Sequence, residues 1–98
     1  EAHMKLHAAE LMIRKASWQY DQGMSCAEAA NTAKYLAADA GFFAADRAMQ
    51  TLGGFGYASE YHVERYWREA RLMKIAPVSQ EMVLNFISSK TLGLPKSY

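Results

Sequence analysis

Apolar positions along the chain recur at helical spacing, and long stretches run without a breaker. Between Ala2 and Asp21 the residues Leu6, Ala9, Ile13, Ala16 and Tyr20 fall three and four apart, which predicts one helix with a single apolar stripe. Asp21-Gln22-Gly23 ends it, because glycine readily takes the left-handed conformation that closes a helix. Ser25-Cys26-Ala27-Glu28 has the form of a capping box and predicts a second helix over about 26–51. Ala29, Ala33, Leu36, Ala37, Ala40, Ala44 and Ala48 dominate one side of that helix. Small side chains let neighbouring backbones approach, so it is expected at the centre of the fold. Gly41 inside it costs up to about 1 kcal/mol relative to alanine. A tight helix crossing is the expected reason.

The run from Gly53 to Ala58 reads as a loop, with Ser59 as the cap of a third helix over about 60–74. Glu64 and Arg68 stand four apart, as do Arg65 and Glu69, so one face should carry opposite charges in register. Ile75-Ala76-Pro77-Val78 breaks the pattern, since a proline pushes the residue before it away from helical geometry. Ser79 then caps a last helix over about 80–91, with Met82, Val83, Phe86 and Ile87 as its apolar face. Residues 92–98 form an extended tail. No stretch sustains two-residue alternation, so strands have little support. The sum is four helices in an all-α, up-down bundle occupying residues 1–98 as one unit.

Composition narrows the function classes. Hydrophobic residues make up 51% of the 98, enough for one small core. A net charge of +1 gives no broad basic face, which argues against nucleic acid as a partner. No apolar run approaches the roughly 20 residues that a bilayer span requires. Cys26 is the single cysteine, so no disulfide can form within the chain, and a reducing, cytoplasmic setting is expected. Glu1-Ala2-His3-Met4 opens directly into helical sequence, so the chain is expected to be a piece of a longer polypeptide.

The stretch with most chemical content is Gln50-Thr51-Leu52-Gly53-Gly54-Phe55-Gly56-Tyr57. A helix there ends in glycines, which permit positive φ and close approach of another backbone or a phosphate. By itself this also describes a tight turn with a packing aromatic. It is not a Walker loop, because no Lys-Ser/Thr follows, and no strand precedes it as a dinucleotide fingerprint would need.

Ala48 to Tyr57, then Glu60-Tyr61-His62-Val63-Glu64-Arg65, then Arg68-Glu69-Ala70-Arg71 together resemble the acyl-CoA dehydrogenase family in order, spacing and residue type. The helices on either side resemble it too, so the likeness covers essentially the whole chain. The resemblance implies most of that family's C-terminal four-helix domain, FAD as cofactor, an acyl-CoA substrate, an electron-transfer protein as acceptor and a homo-oligomer. It implies that Gln50, Thr51, Leu52, Gly53 and Gly54 approach the adenosine diphosphate part of an FAD held largely by a neighbouring subunit. It also implies that Ser79 and Glu81 lie near FAD. Many relatives carry the catalytic glutamate at the position that Pro77 holds in this sequence. Proline cannot accept a proton, so no catalytic residue is expected in this chain. Either the base comes from an earlier helix, as in some relatives, or the parent lacks the activity. A rival from another class is a non-catalytic helical assembly module with the same fold.

The remaining candidates carry less. His3 and His7 share a helix face, but neither they nor His62 find a third ligand, so no metal site is expected. Cys26 near a helix start reads as a bystander thiol. Trp18, Trp67, Tyr61 and Tyr66 read as packing residues. Arg65, Arg68 and Arg71 read as a solvated or ion-paired face.

Overall fold

A computed structural model describes residues 1–96 as helices around one central rod. Helix α1 spans Ala2–Asp21 and α2 spans Ala27–Leu52. A single turn, α3, spans Gly54–Tyr57, and a 3₁₀ turn follows at Ser59–Tyr61. Helix α4 spans Val63–Leu72 and α5 spans Gln80–Phe86, continuing as a π-helical turn at Ile87–Thr91. Among the described residues no strand forms and no helix is long and apolar enough to cross a membrane. The all-α prediction holds, and α2 is the element that every other helix packs against.

The core is small and made almost entirely of alanine. Ala9 of α1, Ala29, Ala33, Ala38 and Ala40 of α2, and Val83 of α5 are buried. The stripe expected on α1 is shifted. Ala2, Lys5, Ala9, Met12, Ala16 and Gln19 face α2, at a strict alternation of three and four. Leu6, Ile13 and Tyr20 stay exposed beside that seam, and Met4, Leu11 and Trp18 form a second exposed row. Small side chains win the seam because they let the two backbones close together, and the larger ones are left outside. On α2 the expected side is largely right, although Ala48 is exposed and Ala38 is buried.

Helix ends explain most of the differences in boundaries. Gly23 has φ of +68°, and the Met24 N–H reaches the Gln19 carbonyl at 2.9 Å while the Gly23 N–H reaches Tyr20 at 3.0 Å. This is the closure expected for a left-handed glycine. The Ser25 capping box does not form. Helix α2 starts one residue later, with Cys26 at its N-cap and no side-chain cap bond. Glu28 still sits in the first turn, where the helix dipole favours a negative charge. Ser79 does cap α5, accepting from the Met82 N–H at 3.3 Å.

The third helix is shorter than expected. Ser59 opens the 3₁₀ turn rather than capping an α-helix, and His62 takes φ of +61° and interrupts the run. The glycine loop is itself partly helical, as α3. Glu64 and Arg68 pair at 2.8 Å, but Arg65 lies over the Tyr66 ring and forms no pair with Glu69. The last helix loosens after Phe86. Ser88 and Ser89 both donate hydroxyls to the Asn85 carbonyl, at 3.0 and 2.8 Å, and so compete with the backbone for it. Met82, expected inward, is exposed, whereas Val83 is buried. The tail is not simply extended: Gly93 takes φ of +68°, and the Leu94 N–H closes on Ser88. The rest of the expected tail, residues 97–98, lies outside the described residues.

Helix α4 is held to α2 by a polar seam. The Trp67 indole N–H donates to Asp46 at 3.1 Å, and the Phe42 and Trp67 rings lie 5.3 Å apart. Lys74 donates to Asp39 at 2.9 Å and Lys34 to the Met73 carbonyl at 2.8 Å. The Arg47 guanidinium and the Trp67 indole both donate to Asp46 and hold its carboxyl below the usual range.

Two glycines of α2 and α3 play opposite roles. A Cβ on Gly56 would lie 2.6 Å from the Met49 carbonyl oxygen, so only glycine lets α3 fold back onto α2. A Cβ on Gly41 would meet nothing within 4 Å, so no tight crossing within this chain explains it. Gly56→Ala is expected to destabilise the chain by about 1–3 kcal/mol through backbone displacement. Gly41→Ala is expected to stabilise it by about 0.5–1 kcal/mol. Urea unfolding midpoints of the two variants check both signs.

Candidate functional site

The first group of site residues sits where α2 ends. Gly53 holds φ of +59° and ψ of −133°, a conformation open in practice to glycine alone. Its N–H is already engaged, bonding the carbonyls of Met49 at 3.1 Å and Gln50 at 3.2 Å. The Thr51 hydroxyl donates to the Arg47 carbonyl at 2.8 Å, so its lone pairs, not its proton, face outward. Gln50, Leu52 and Gly54 are exposed, and the space where a Cβ of Gly54 would stand is empty to 4 Å. Arg47, one turn back, pairs with Asp46 at 2.7 Å. No carboxylate occurs among residues 50–54. A free side-chain amide, an unobstructed glycine and the lack of a carboxylate among these five residues leave room for a polar ligand such as a diphosphate.

The second group lies at the start of α5. The Ser79 hydroxyl oxygen caps the helix, and the Glu81 carboxylate turns back on the same turn. Its own backbone N–H, and then the Ser79 hydroxyl, hold the Glu81 carboxyl below the ordinary glutamate range, with Arg71 and Lys34 adding weaker attraction. Gln80 between them was not singled out from the sequence. Its amide nitrogen is buried and finds no acceptor in the structure. No spacing rule would have flagged it, because a lone glutamine at a helix start is ordinary.

Pro77 lines an apolar cavity of about 230 Å³ with Lys34, Ala37, Ala38, Met73 and Ala76. No carboxylate lines that cavity. The two groups of residues are not brought together. Ala38 shares the cavity with Pro77 and stands twelve residues before Gln50, which puts roughly 18 Å of helix axis between the two ends. Among the described residues no group of three His, Cys, Asp or Glu side chains could hold a metal ion. His3 and His7 stack with ring centroids 6.1 Å apart.

Such a structure defines a class: an all-α domain whose central alanine-lined helix ends in an exposed glycine turn. The chain belongs to the acyl-CoA dehydrogenase family, since residues 1–92 match the model of the acyl-CoA dehydrogenase C-terminal domain. It is 49% identical to acyl-CoA dehydrogenase FadE12 of Mycobacterium tuberculosis, over 100% of this chain and 26% of the relative. The counterpart from Mycobacterium bovis matches equally well. This chain thus spans about a quarter of those relatives' length. Among solved structures, butyryl-CoA dehydrogenase from Megasphaera elsdenii superposes with a TM-score of 0.87 at 30% identity, covering 92% of this chain and 24% of that one. A chain from a structure described as the electron transferring flavoprotein of Acidaminococcus fermentans gives 0.88, also at 30% identity, covering 93% and 24%.

The direction of the Glu81 shift sets a pH dependence. A depressed carboxyl contributes stability above its unfolded pKa and loses it as pH falls through the folded one. Glu81→Gln should therefore lower the melting temperature slightly at neutral pH and have no effect in acid, below the folded midpoint. The group is fully exposed, so salt should weaken the difference. A side-chain NMR titration of Glu81 should give a midpoint below the ordinary glutamate range.

Proposed function

We propose that residues 1–98 form the C-terminal helical unit of a flavin-dependent acyl-CoA dehydrogenase, and contribute cofactor contacts and subunit packing rather than the catalytic base. The observation that carries this reading is the open glycine turn after Gln50 in a chain of this family. The parent would oxidise an acyl-CoA thioester to the 2,3-enoyl-CoA and pass electrons to an electron-transfer protein. Bound FAD would supply the hydride acceptor for that oxidation. Within this chain, Gln50 would donate its amide to the diphosphate, Gly54 would let it approach the backbone, and Thr51, Leu52 and Gly53 would shape the turn. Ser79 and Glu81 would line the cofactor at the start of α5. The α-proton would be removed by a carboxylate of an earlier segment. The single unpaired thiol fits a cytoplasmic parent.

Pro77 favours a second reading, a helical assembly module without catalysis. Full-length protein decides between them. Under the first reading, it purifies with flavin, and anaerobic addition of acyl-CoA bleaches the flavin's visible absorbance. Full-length protein that holds no flavin would support the module. The 98-residue chain alone is expected to turn over no acyl-CoA and to retain no stoichiometric flavin.

Subunit packing rests on exposed apolar surface. Met4 is 67% exposed, Trp18 56% and Leu11 57%, all on one row of α1. Rows of this size on a small soluble chain mark a contact surface. The purified chain is expected to self-associate, most simply as a dimer. Light scattering that reads a monomer at every concentration would remove this expectation.

A further inference from the structure

We propose that Phe55 is a stacking platform for the adenine of the flavin's adenosine diphosphate half. The inference rests on the reading of Gln50–Gly54 as a cofactor edge and names a residue that this reading does not include. Phe55 follows Gly54 directly, and the residue is 63% exposed. An aromatic side chain left in water forgoes the burial that usually places it, and among the described residues only the Tyr61 ring packs near it. The ring is not loose. Gly56 is locked against the Met49 backbone, where a Cβ would come within 2.6 Å, so the turn cannot swing inward. The Tyr61 ring supports Phe55 from one side, at 5.1 Å between centroids and a tilt of 46°. A tilted neighbour engages part of the ring and leaves a face open.

The neighbouring chemistry matches the two parts of one ligand. Gln50 and Gly54 offer polar, uncharged contacts suited to phosphate oxygens. A ring one residue further on offers a π-face, which stacks on any nucleobase. Tyr57 is more exposed, at 83%, but it lies beyond the buried Gly56 and makes no ring contact among the described residues. It is therefore the control.

The test uses the full-length flavoprotein stripped of flavin, with ADP as the probe and riboflavin phosphate as the comparison. Phe55→Leu should weaken ADP binding about tenfold, the loss of one base stack, and Phe55→Tyr should restore it. Riboflavin phosphate binding should not change, and Tyr57→Leu should leave ADP affinity intact. Unchanged ADP affinity in Phe55→Leu would overturn the proposal. So would sedimentation showing that Phe55→Leu splits the oligomer and that ADP affinity falls only with that splitting. Gln50→Ala separates this inference from the reading beneath it. If Gln50→Ala weakens ADP and Phe55→Leu does not, the platform fails and the cofactor edge stands. If neither matters, both fail.

Discussion

Close approach of helix backbones over alanine is the constraint on which this structure depends. Among the described residues, five of the six buried apolar ones are alanines, four of them on α2. A methyl side chain buries little area, so the core itself contributes little hydrophobic free energy. What alanine supplies is proximity: α1, α4 and α5 can all lie against one rod. The glycine at position 56 carries the same principle to its limit, bringing a backbone against the Met49 carbonyl. The arrangement leaves most large apolar side chains outside the seams, as on α1, where Leu6, Leu11, Ile13 and Trp18 are all exposed. A domain built this way is a surface for further packing as much as a core.

The rod also sets the spacing of the candidate site. Helix α2 has 26 residues and is therefore roughly 39 Å long. Its far end carries the glycine turn. The cavity beside Pro77 opens nearer its start. Polar bonds fix α4 at intermediate positions, through Asp39 to Lys74 and Asp46 to Trp67. Because these bonds tie side chains to a continuous helix, the two ends cannot drift relative to one another without breaking α2. The helix thus acts as a ruler between two places where a ligand could be met.

Much of this was legible from residue order. Periodicity located α1 and α2 to within a residue, because a long helix averages over local errors. The Ser79 cap and the Gly23 closure were legible because each depends on one side chain and its near neighbours. The missed features depend on partners distant in sequence or on competition. Which stripe of α1 faces inward was misjudged because hydrophobicity favours Leu6 and Ile13, whereas the seam is selected by size. The break at His62 follows no composition rule, since a left-handed histidine is uncommon. The role of Gly56 needed the Met49 backbone in view, and the exposure of Phe55 needed knowledge of what does not cover it. The family resemblance of the Gln50 turn was legible. The engagement of the Gly53 amide and the Thr51 hydroxyl in local bonds was not, because both bonds run back into α2.

The start of α5 gives the Glu81 carboxylate an environment that favours its charged form. Removal of a proton from carbon is favoured by a base whose pKa is raised towards the working pH, usually by desolvation. Glu81 has the opposite environment. It is exposed, and its own N–H and the Ser79 hydroxyl stabilise its charged form. Such a carboxylate is a weak base by design of its surroundings, and it is well suited to holding a helix start in place. The cavity at Pro77 has the apolar walls that would raise a carboxyl pKa, but no carboxyl stands in it. The ionisable group that lines it is Lys34, a cation. Neither Glu81 nor the position of Pro77 thus offers a carboxyl in an apolar setting.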